Sequence, residues 1–473
     1  MSRITTRAAA KKPADARPGT EPSAAFPSRD ERLSAGKALR ETLPHGLHAP
    51  WKTQSKARDP IAILEKSNRD RLPQLVPIRY GRMLRSPFTF LRGSASLMAH
   101  DLSTRPSTGL RVQACGDCHL LNFGLFATPE RNLVFDVNDF DETLPAPWEW
   151  DVKRLAVSFA VAARDNGQTD KDGRAAAVEC VRAYREHLRD DSKRSPLDVW
   201  YERLDIQTLI DQAPNAQAKK RRQEIAAKAQ KRIGEYLFPK ISTNEGGQHR
   251  LVDQPPLLFH RSEKNAEALF LEAMGSYRAS MSPSVQVLFD RYRLQDFALK
   301  VVGIGSVGTR CYVALFSSAE DHPLLLQFKE ANQSVLAPYA GKSGFANHGE
   351  RVVVGQRLMQ STSDIFLGWT RSRIGIDFFG RQLRDMKMSF PIEGCSASQL
   401  KWYATACGVT LARAHAKSGD AATLSGYLGK TDNFDQAIGE FALAYADQTE
   451  RDHAALVAAE RSGRIEAVLE DEL

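Results

Sequence analysis

Apolar positions recur at helical spacing through two long stretches of the chain, with a region of strand-like runs between them. From residue 150 to about 291, residues such as Leu155, Phe159 and Ala162 fall on one face of a 3.6-residue period, which predicts mainly helix. At Phe297 the character changes. Three short β-rich runs, 297–302, 311–316 and 324–329, are separated by a Gly-rich loop and by the polar turn 317–323. This pattern predicts an antiparallel meander. Helical periodicity returns at 351–359, a mixed segment occupies 364–390, and helices are expected over 398–473. Upstream, 59–112 mixes short helical signals with Pro and Gly, and 112–142 reads as turn, short strand (Leu133, Val134, Phe135) and turn. No internal repeat is evident, and the expected fold class is α+β.

The pattern fades before residue 59, where Ala, Pro, Ser, Arg and Lys dominate and large apolar residues are few. Such a segment buries too little surface to offset its ordering entropy, so residues 1–58 are expected to be a disordered basic tail. Charge points the same way. The 473-residue chain carries a net +8, but residues 1–60 alone hold 12 Lys/Arg against 6 Asp/Glu, and the other 413 hold 53 against 51. The basicity belongs to the tail, so the body gives little support for nucleic-acid binding. A second basic stretch, 219–232, reads as a solvated helix face. No apolar run approaches the ~18 residues of a membrane span, and the first residues lack the apolar core of a secretory signal. Six cysteines are too sparse for a disulfide framework. These points together predict a cytoplasmic protein.

The densest chemical signal is Cys115-Gly-Asp-Cys-His-Leu-Leu-Asn122. Its CxxCH spelling matches haem attachment, but there is no export signal, and no second Cys pair completes a zinc site. Without the cysteines the string is Gly-Asp117-x-His119-x-x-Asn122, followed 17 residues later by Asp139 at the end of an apolar strand. Phosphoryl transfer needs a carboxylate beside the attacking hydroxyl, and an amide oxygen plus a second carboxylate to hold Mg²⁺. Asp117 is expected as the base or as the group that orients the attacking hydroxyl, with Asn122 and Asp139 as metal ligands. Asp136 and Asp141 compete with Asp139 for that place.

A second constellation is Gly303-Ile-Gly305-Ser306-Val-Gly308-Thr309, whose amides suit a phosphate chain. Lys329 ends the third run of the meander, where a lysine reaches the α- and β-phosphates. Glu350, 21 residues on, is the expected partner orienting it, with Glu330 and Gln356 as rivals. Trp148 and Trp150 read as core anchors, and Tyr445, Asp447, Asp452 and His453 as polar positions on a helix. Arg92 and Arg310 are divided between phosphate contact and structural ion pairing.

The first constellation is similar to the catalytic loop and metal aspartate of the aminoglycoside phosphotransferase-like kinases, which implies Asp117 as catalytic and Asn122 and Asp139 as metal ligands. The second is similar to the Gly loop, lysine and helix glutamate of protein kinases, but those precede the catalytic loop, and here they follow it by about 180 residues. The string Cys407-Gly-Val-Thr-Leu-Ala-Arg-Ala-His-Ala416 resembles the helix that precedes the catalytic loop in choline-type kinases. These resemblances imply a circularly permuted, two-lobed protein-kinase-like fold with a small antiparallel-sheet lobe and a large mainly helical lobe. The parts would be 59–290 (catalytic loop and helical lobe), 291–390 (small lobe) and 391–473 (helices completing the large lobe). Other strings, including Asn138-Asp-Phe-Asp-Glu142, Pro147-Trp-Glu-Trp-Asp151 and Gly355-Gln-Arg-Leu-Met-Gln360, resemble a bacterial family called domain of unknown function 2252, over about 60–460. The expected activity is an ATP- and Mg²⁺-dependent phosphotransferase acting on a small molecule or a protein. The alternatives are a nucleotide-binding regulatory module without transfer and an enzyme transferring AMP to protein. The expected partners are a nucleotide and an unidentified acceptor, with no membrane.

Overall fold

The computed structural model describes residues 27–52, 58–246, 248–260, 266–383 and 385–469. The fold is α+β, and every strand pair within its sheets is antiparallel. The expected meander appears as Arg293–Lys300, Cys311–Ser317 and Pro323–Glu330, with Cys311 opposite Lys329. Asp377–Gln382 and Gly368–Arg371 extend it on one side and Leu258–Phe259 on the other, giving six strands. Alternation fixes what each face carries. Leu324, Leu326 and Phe328 pack with Tyr277 of the helix Ala266–Ala279, whereas Leu325 packs with Leu237 and Ile241. Lys329, in phase with Leu325, therefore leaves the opposite face from Phe328.

The helices Gly234–Ile241 and Ala266–Ala279 pack on this sheet, and Leu258–Phe259 belongs to it. The chain thus joins the sheet well before residue 291, the expected start of the small lobe, and before Phe297, where the sequence pattern changes. The apolar periodicity of 234–289 is real helix for the most part, but periodicity does not say which layer a helix covers.

The second region is built around the helix Trp148–Asp165, in which Trp148 through Ala163 are all buried. A helix apolar on every side is expected to be enclosed. Asp170–Asp191, Ala397–Ser418 and Asn433–Arg461 belong to the same core. Trp148 and Trp150 anchor that core. A four-stranded sheet, with Phe123–Ala127 and Leu133–Val137 at its centre, carries the segment that follows Asn122.

Disorder across 1–58 is corrected in part. Arg29–Thr42 is a helix with a Ser28/Glu31 capping box. It lies so close to the helix Ala421–Leu428 that a Cβ at Gly36 would fall 2.0 Å from the Thr423 carbonyl oxygen. Arg40 Nε donates to the Tyr427 carbonyl at 2.7 Å, and His48 Nε2 is 2.7 Å from the Tyr427 hydroxyl. Composition averaged over the Pro- and Ala-rich start hid this short helix, whose contacts are mostly backbone and polar. Residues 1–26 and 53–57 lie outside the described residues. No helix among the described residues is long and apolar enough to cross a membrane.

Candidate functional site

The strand Arg111–Ala114 delivers the loop that carries Asp117. Gly116 turns it at φ +83°, where a Cβ would lie 2.5 Å from the Glu142 carbonyl oxygen. The backbone is held from behind by Asp151, which accepts from the amides of Cys115 at 2.7 Å and Gly116 at 3.0 Å. His415 Nε2 lies 3.3 Å from the same carboxylate, and its Nδ1 is 2.9 Å from the Tyr184 hydroxyl. One oxygen of Asp117, Oδ1, accepts from Arg154 Nε at 2.7 Å and also from Arg154 Nη2, which reaches the Leu91 carbonyl at 2.8 Å. The other, Oδ2, is 3.9 Å from His119 Nε2. Burial depresses the His119 pKa to about 4, so the imidazole is neutral near pH 7. Asn122 Nδ2 donates to the Asp117 carbonyl at 2.6 Å, which leaves its amide oxygen as the acceptor end.

Cys115 and Cys118, the residues of the CxxCH spelling, are buried thiols. Burial pushes Cys118 up to about 12 and Cys115 upward as well, so both stay protonated and serve as packing.

The competition among three aspartates resolves by partner. Asp136 is fully buried and fully used: Arg413 Nη2 and the Val137 amide bind one oxygen, and the Ser361 amide and hydroxyl, each at 2.8 Å, bind the other. Asp139 and Asp141 instead meet Lys329, whose Nζ is 3.6 Å from Asp139 Oδ1 and hydrogen-bonded to Asp141 Oδ2. Ser306 Oγ donates to the same Asp141 oxygen at 3.0 Å. Each of the two carboxylates keeps one buried oxygen, Oδ1, without a hydrogen-bond partner. Burial works against the charge on Asp139, but Lys329, Arg381 and Lys387 outweigh it and hold that carboxyl below its ordinary range. Burial and the Asp139 charge push Asp141 the other way.

Asp117, Asn122, Asp139, Gly303, Gly305 and Ser306 line one cleft of about 400 Å³. Gly305 folds close over the loop: a Cβ there would be 3.7 Å from Asp117 Oδ2. Lys329 reaches the cleft through its contacts with Asp139 and Asp141. Gly308 does not line it; this glycine, at φ +91°, faces the side chain of Arg71, and its carbonyl accepts from the Leu72 amide at 2.7 Å.

Glu350 is a correction. It sits in the first turn of the helix His348–Met359, where its amide donates to Asn347 Oδ1 at 3.1 Å, and it makes no ion pair with Lys329 among the described residues. Arg351, one position and about 100° further round the helix, points inward instead. Its guanidinium donates to the carbonyls of Thr143 at 2.6 Å and of Asp141 and Asn332 at 2.8 Å. The rivals are also engaged elsewhere, Glu330 with Arg310 at 3.0 Å and Gln356 with Gln360 at 2.9 Å. Lys329 takes its anions from the acidic cluster after Leu133–Val137.

Sequence reasoning missed Asp151 and Arg154 as the residues that hold the Asp117 loop. A signal was present: Glu149, Asp151, Lys153 and Arg154 are charged positions in a helix otherwise apolar on every side, and all four are buried. Buried charges require partners, and these four mark where the helix meets polar structure.

The described residues thus form an α+β protein with an acidic cleft beneath the Gly303–Ser306 loop. The model of the family described as "Uncharacterized protein conserved in bacteria (DUF2252)" matches residues 71–459, and the chain belongs to that family. No curated protein and no solved structure matches it.

Proposed function

We propose that the protein is an ATP- and Mg²⁺-dependent phosphotransferase built on a circularly permuted kinase-like fold. The observation that carries this reading is the convergence of Asp117, Asn122, Asp139 and the Lys329 ammonium, from segments some 190 residues apart in the chain, under Gly303–Ser306 in one cleft. The permutation finds support in the helix Ala397–Ser418. Its last residue, Ser418, accepts from the Gln113 amide at 3.0 Å, and a Cβ at Gly419 would be 2.7 Å from Val112. The helix therefore ends beside the strand that leads to Asp117, where an unpermuted chain would run on directly.

The residues fit the cofactor. Asn122, Asp139 and Asp141 offer an all-oxygen donor set, and Oδ1 of each aspartate is buried without a hydrogen-bond partner among the described residues. Bound there, Mg²⁺ would neutralise charge on the phosphates of ATP. Lys329 would neutralise further phosphate charge, and the amides of Gly303–Ser306 would cover the phosphate chain. Asp117 Oδ2 would take the proton of the acceptor hydroxyl. The hydroxyl oxygen forms a bond to the γ-phosphorus, the β–γ bridging bond breaks, and ADP leaves with that electron pair. Arg154 fixes the orientation of Asp117, and the neutral His119 leaves Oδ2 free to accept a proton.

ATP labelled at the γ-position, offered with Mg²⁺ and a mixture of hydroxyl acceptors, should yield labelled product. Asp117→Asn should lower turnover ~10²–10⁴-fold while still binding Mg–ADP. Unchanged ATP consumption by that variant would overturn the assignment. The absence of a Lys329–Glu350 pair favours a second reading, nucleotide binding without γ-phosphoryl transfer. A thermal shift with Mg–ATP but no labelled product would favour a regulatory module, and transfer of an α-label would indicate AMP transfer.

A further inference from the structure

The cleft has a second wall, formed by the short helices between residues 60 and 103 and the turn at 69–71, where Lys66, Arg69, Arg71, Arg79 and Arg92 outnumber the single carboxylate, Asp70. Arg79 spends Nη1 on Asn68 Oδ1 at 2.7 Å and Nη2 on the Gly93 carbonyl, and its Nε is buried without a partner. Arg92, next to that glycine in the helix Pro87–Gly93, makes no hydrogen bond or ion pair among the described residues, and its Nε is buried. Ser96 Oγ, three residues beyond Gly93, is buried and unpartnered too. All three line the cleft.

The carboxylates lining the cleft are engaged elsewhere or do not pair with Arg92 among the described residues: Glu142 accepts from the Val335 amide at 2.7 Å, and Asp70 makes no ion pair with Arg92. Asp117 is held by Arg154, Asp141 by Lys329, and Glu330 by Arg310. Burial disfavours the charge on Arg92, and only the distant attraction of Asp117 opposes that. A buried guanidinium with no anion of its own is costly to keep. The wall also abuts the reacting centre, because Arg154 bridges the Leu91 carbonyl and Asp117. Two guanidinium edges and a hydroxyl free to donate suit a ligand made of acceptors.

We infer that Arg92, with Arg79 and Ser96, forms a subsite for a phosphate-class oxyanion beside Asp117. The subsite itself is independent of the phosphotransferase reading, but the identity of its occupant rests on it. The oxyanion comes either from the terminal phosphate of the nucleotide or from an acceptor that itself carries a phosphate.

The test is calorimetric titration of the full chain with inorganic phosphate, without nucleotide. Arg92→Met should weaken binding about 10- to 100-fold, and Arg92→Lys less. In phosphate-free buffer Arg92→Met should melt above the parent protein, and the order should reverse at high phosphate, which also shows that the variant is folded. Phosphate binding that is absent, or equal in parent and Arg92→Met, overturns the subsite. Repeating the titration with a saturating non-hydrolysable ATP analogue and Mg²⁺ assigns the source. Loss of phosphate binding places the γ-phosphate there, and retention places an acceptor phosphate there. If no nucleotide binds while phosphate binding still depends on Arg92, the phosphotransferase reading fails and the oxyanion subsite stands.

Discussion

Two regions of this protein bury charge in opposite ways. In the helical core, Arg58 makes four hydrogen bonds of 2.7 Å, two to Asp101 and two to Asp452. Those carboxylates also accept from Tyr445 and Gln448, each at 2.8 Å. Arg185 and Asp435 meet at 2.7–3.0 Å through three hydrogen bonds, and Asp136 has both oxygens filled. The cleft is equally ionic, yet Asp139, Asp141, His119, Ser96, Arg79 and Arg92 each present a buried atom with no hydrogen-bond partner among the described residues. Buried polar groups are normally satisfied, because an unmade hydrogen bond costs more than a made one contributes. These core networks spend their polarity on holding helices together, and the unpartnered core atoms, such as Glu149 Oε2 and Thr410 Oγ1, stand singly among the described residues. The cleft keeps more of its own unspent, arginine donors on one wall and carboxylate oxygens on the other, as the proposed phosphate and metal ligand requires.

The largest effect should come from breaking the satisfied side. Arg58→Ala leaves Asp101 and Asp452 buried without their cation and should cost about 3–5 kcal/mol of unfolding free energy, read from denaturant titration. A cost below about 1 kcal/mol would mean that the core network is not what secures this segment, and the contrast with the cleft would lose its meaning.

Much of this contrast was invisible in the sequence, for reasons that differ residue by residue. Asp117, Asn122 and Asp139 line one cleft, in keeping with their short-range spacing, and the meander is plain from its period of two. Asp136 and Asp139 look alike in a string of acidic residues. They separate only when the distant Arg413 and Ser361 close on one of them. Glu350 was chosen by position along a helix, but the inward-facing neighbour is Arg351, and which face turns inward is decided by packing that periodicity over 12 residues did not specify. Arg92 stood between ion pair and phosphate contact, as did Arg310. Pairing to Glu330 settles Arg310, and the lack of any partner among the described residues sets Arg92 apart. The tail helix Arg29–Thr42 shows the opposite failure, since its stability lies in the surface it meets and not in its own composition.

Matched substitutions at the two aspartates sharpen the comparison. Asp136→Asn puts an amide NH₂ where Ser361 donates or where Arg413 needs an anion, and should cost about 2–4 kcal/mol. Asp139→Asn removes a carboxylate that Lys329, Arg381 and Lys387 hold below its ordinary range but also relieves the repulsion on Asp141, so it should cost only about 1–2 kcal/mol. It should also weaken any thermal shift given by Mg–ADP. Equal destabilisation by both variants would show that Asp139 is structural too.

Gly116 tests the backbone that connects the two regions. It is reached from the core side by Asp151 and carries Asp117 into the cleft. Gly116→Ala forces a side chain into φ +83° and against the Glu142 carbonyl, which should cost about 1–3 kcal/mol. Because the strain falls next to Asp117, catalytic output should drop more steeply than stability. A variant that is destabilised but fully active would detach the loop geometry from the chemistry.

The smallest expected effect comes from a cluster that is neither fully satisfied nor in the cleft. Asp191 keeps Oδ2 unpartnered, 3.6 Å from His187 Nε2, and Glu202 lies 3.3 Å from the same nitrogen. Burial raises the Asp191 carboxyl to about 6, only partly offset by His187. Burial opposes the charge on His187, but Glu202 and Asp191 prevail and raise its pKa. Between about pH 4 and 6 the folded protein keeps an Asp191 proton that the unfolded chain has lost, so stability falls as pH rises through that window. The His187 contribution is complete below about pH 6.5 and is lost as pH climbs through its raised folded value, so it acts in the same direction. Stability measured by urea titration should therefore decline from pH 5 to pH 8 by about 1 kcal/mol on account of this cluster. Asp191→Asn should flatten the lower part of the curve and His187→Gln the upper part. Parallel pH curves for the parent and Asp191→Asn would mean that this unpartnered oxygen stays ionised, as those of a ligand site do, and would move the cluster to the cleft's side of the comparison.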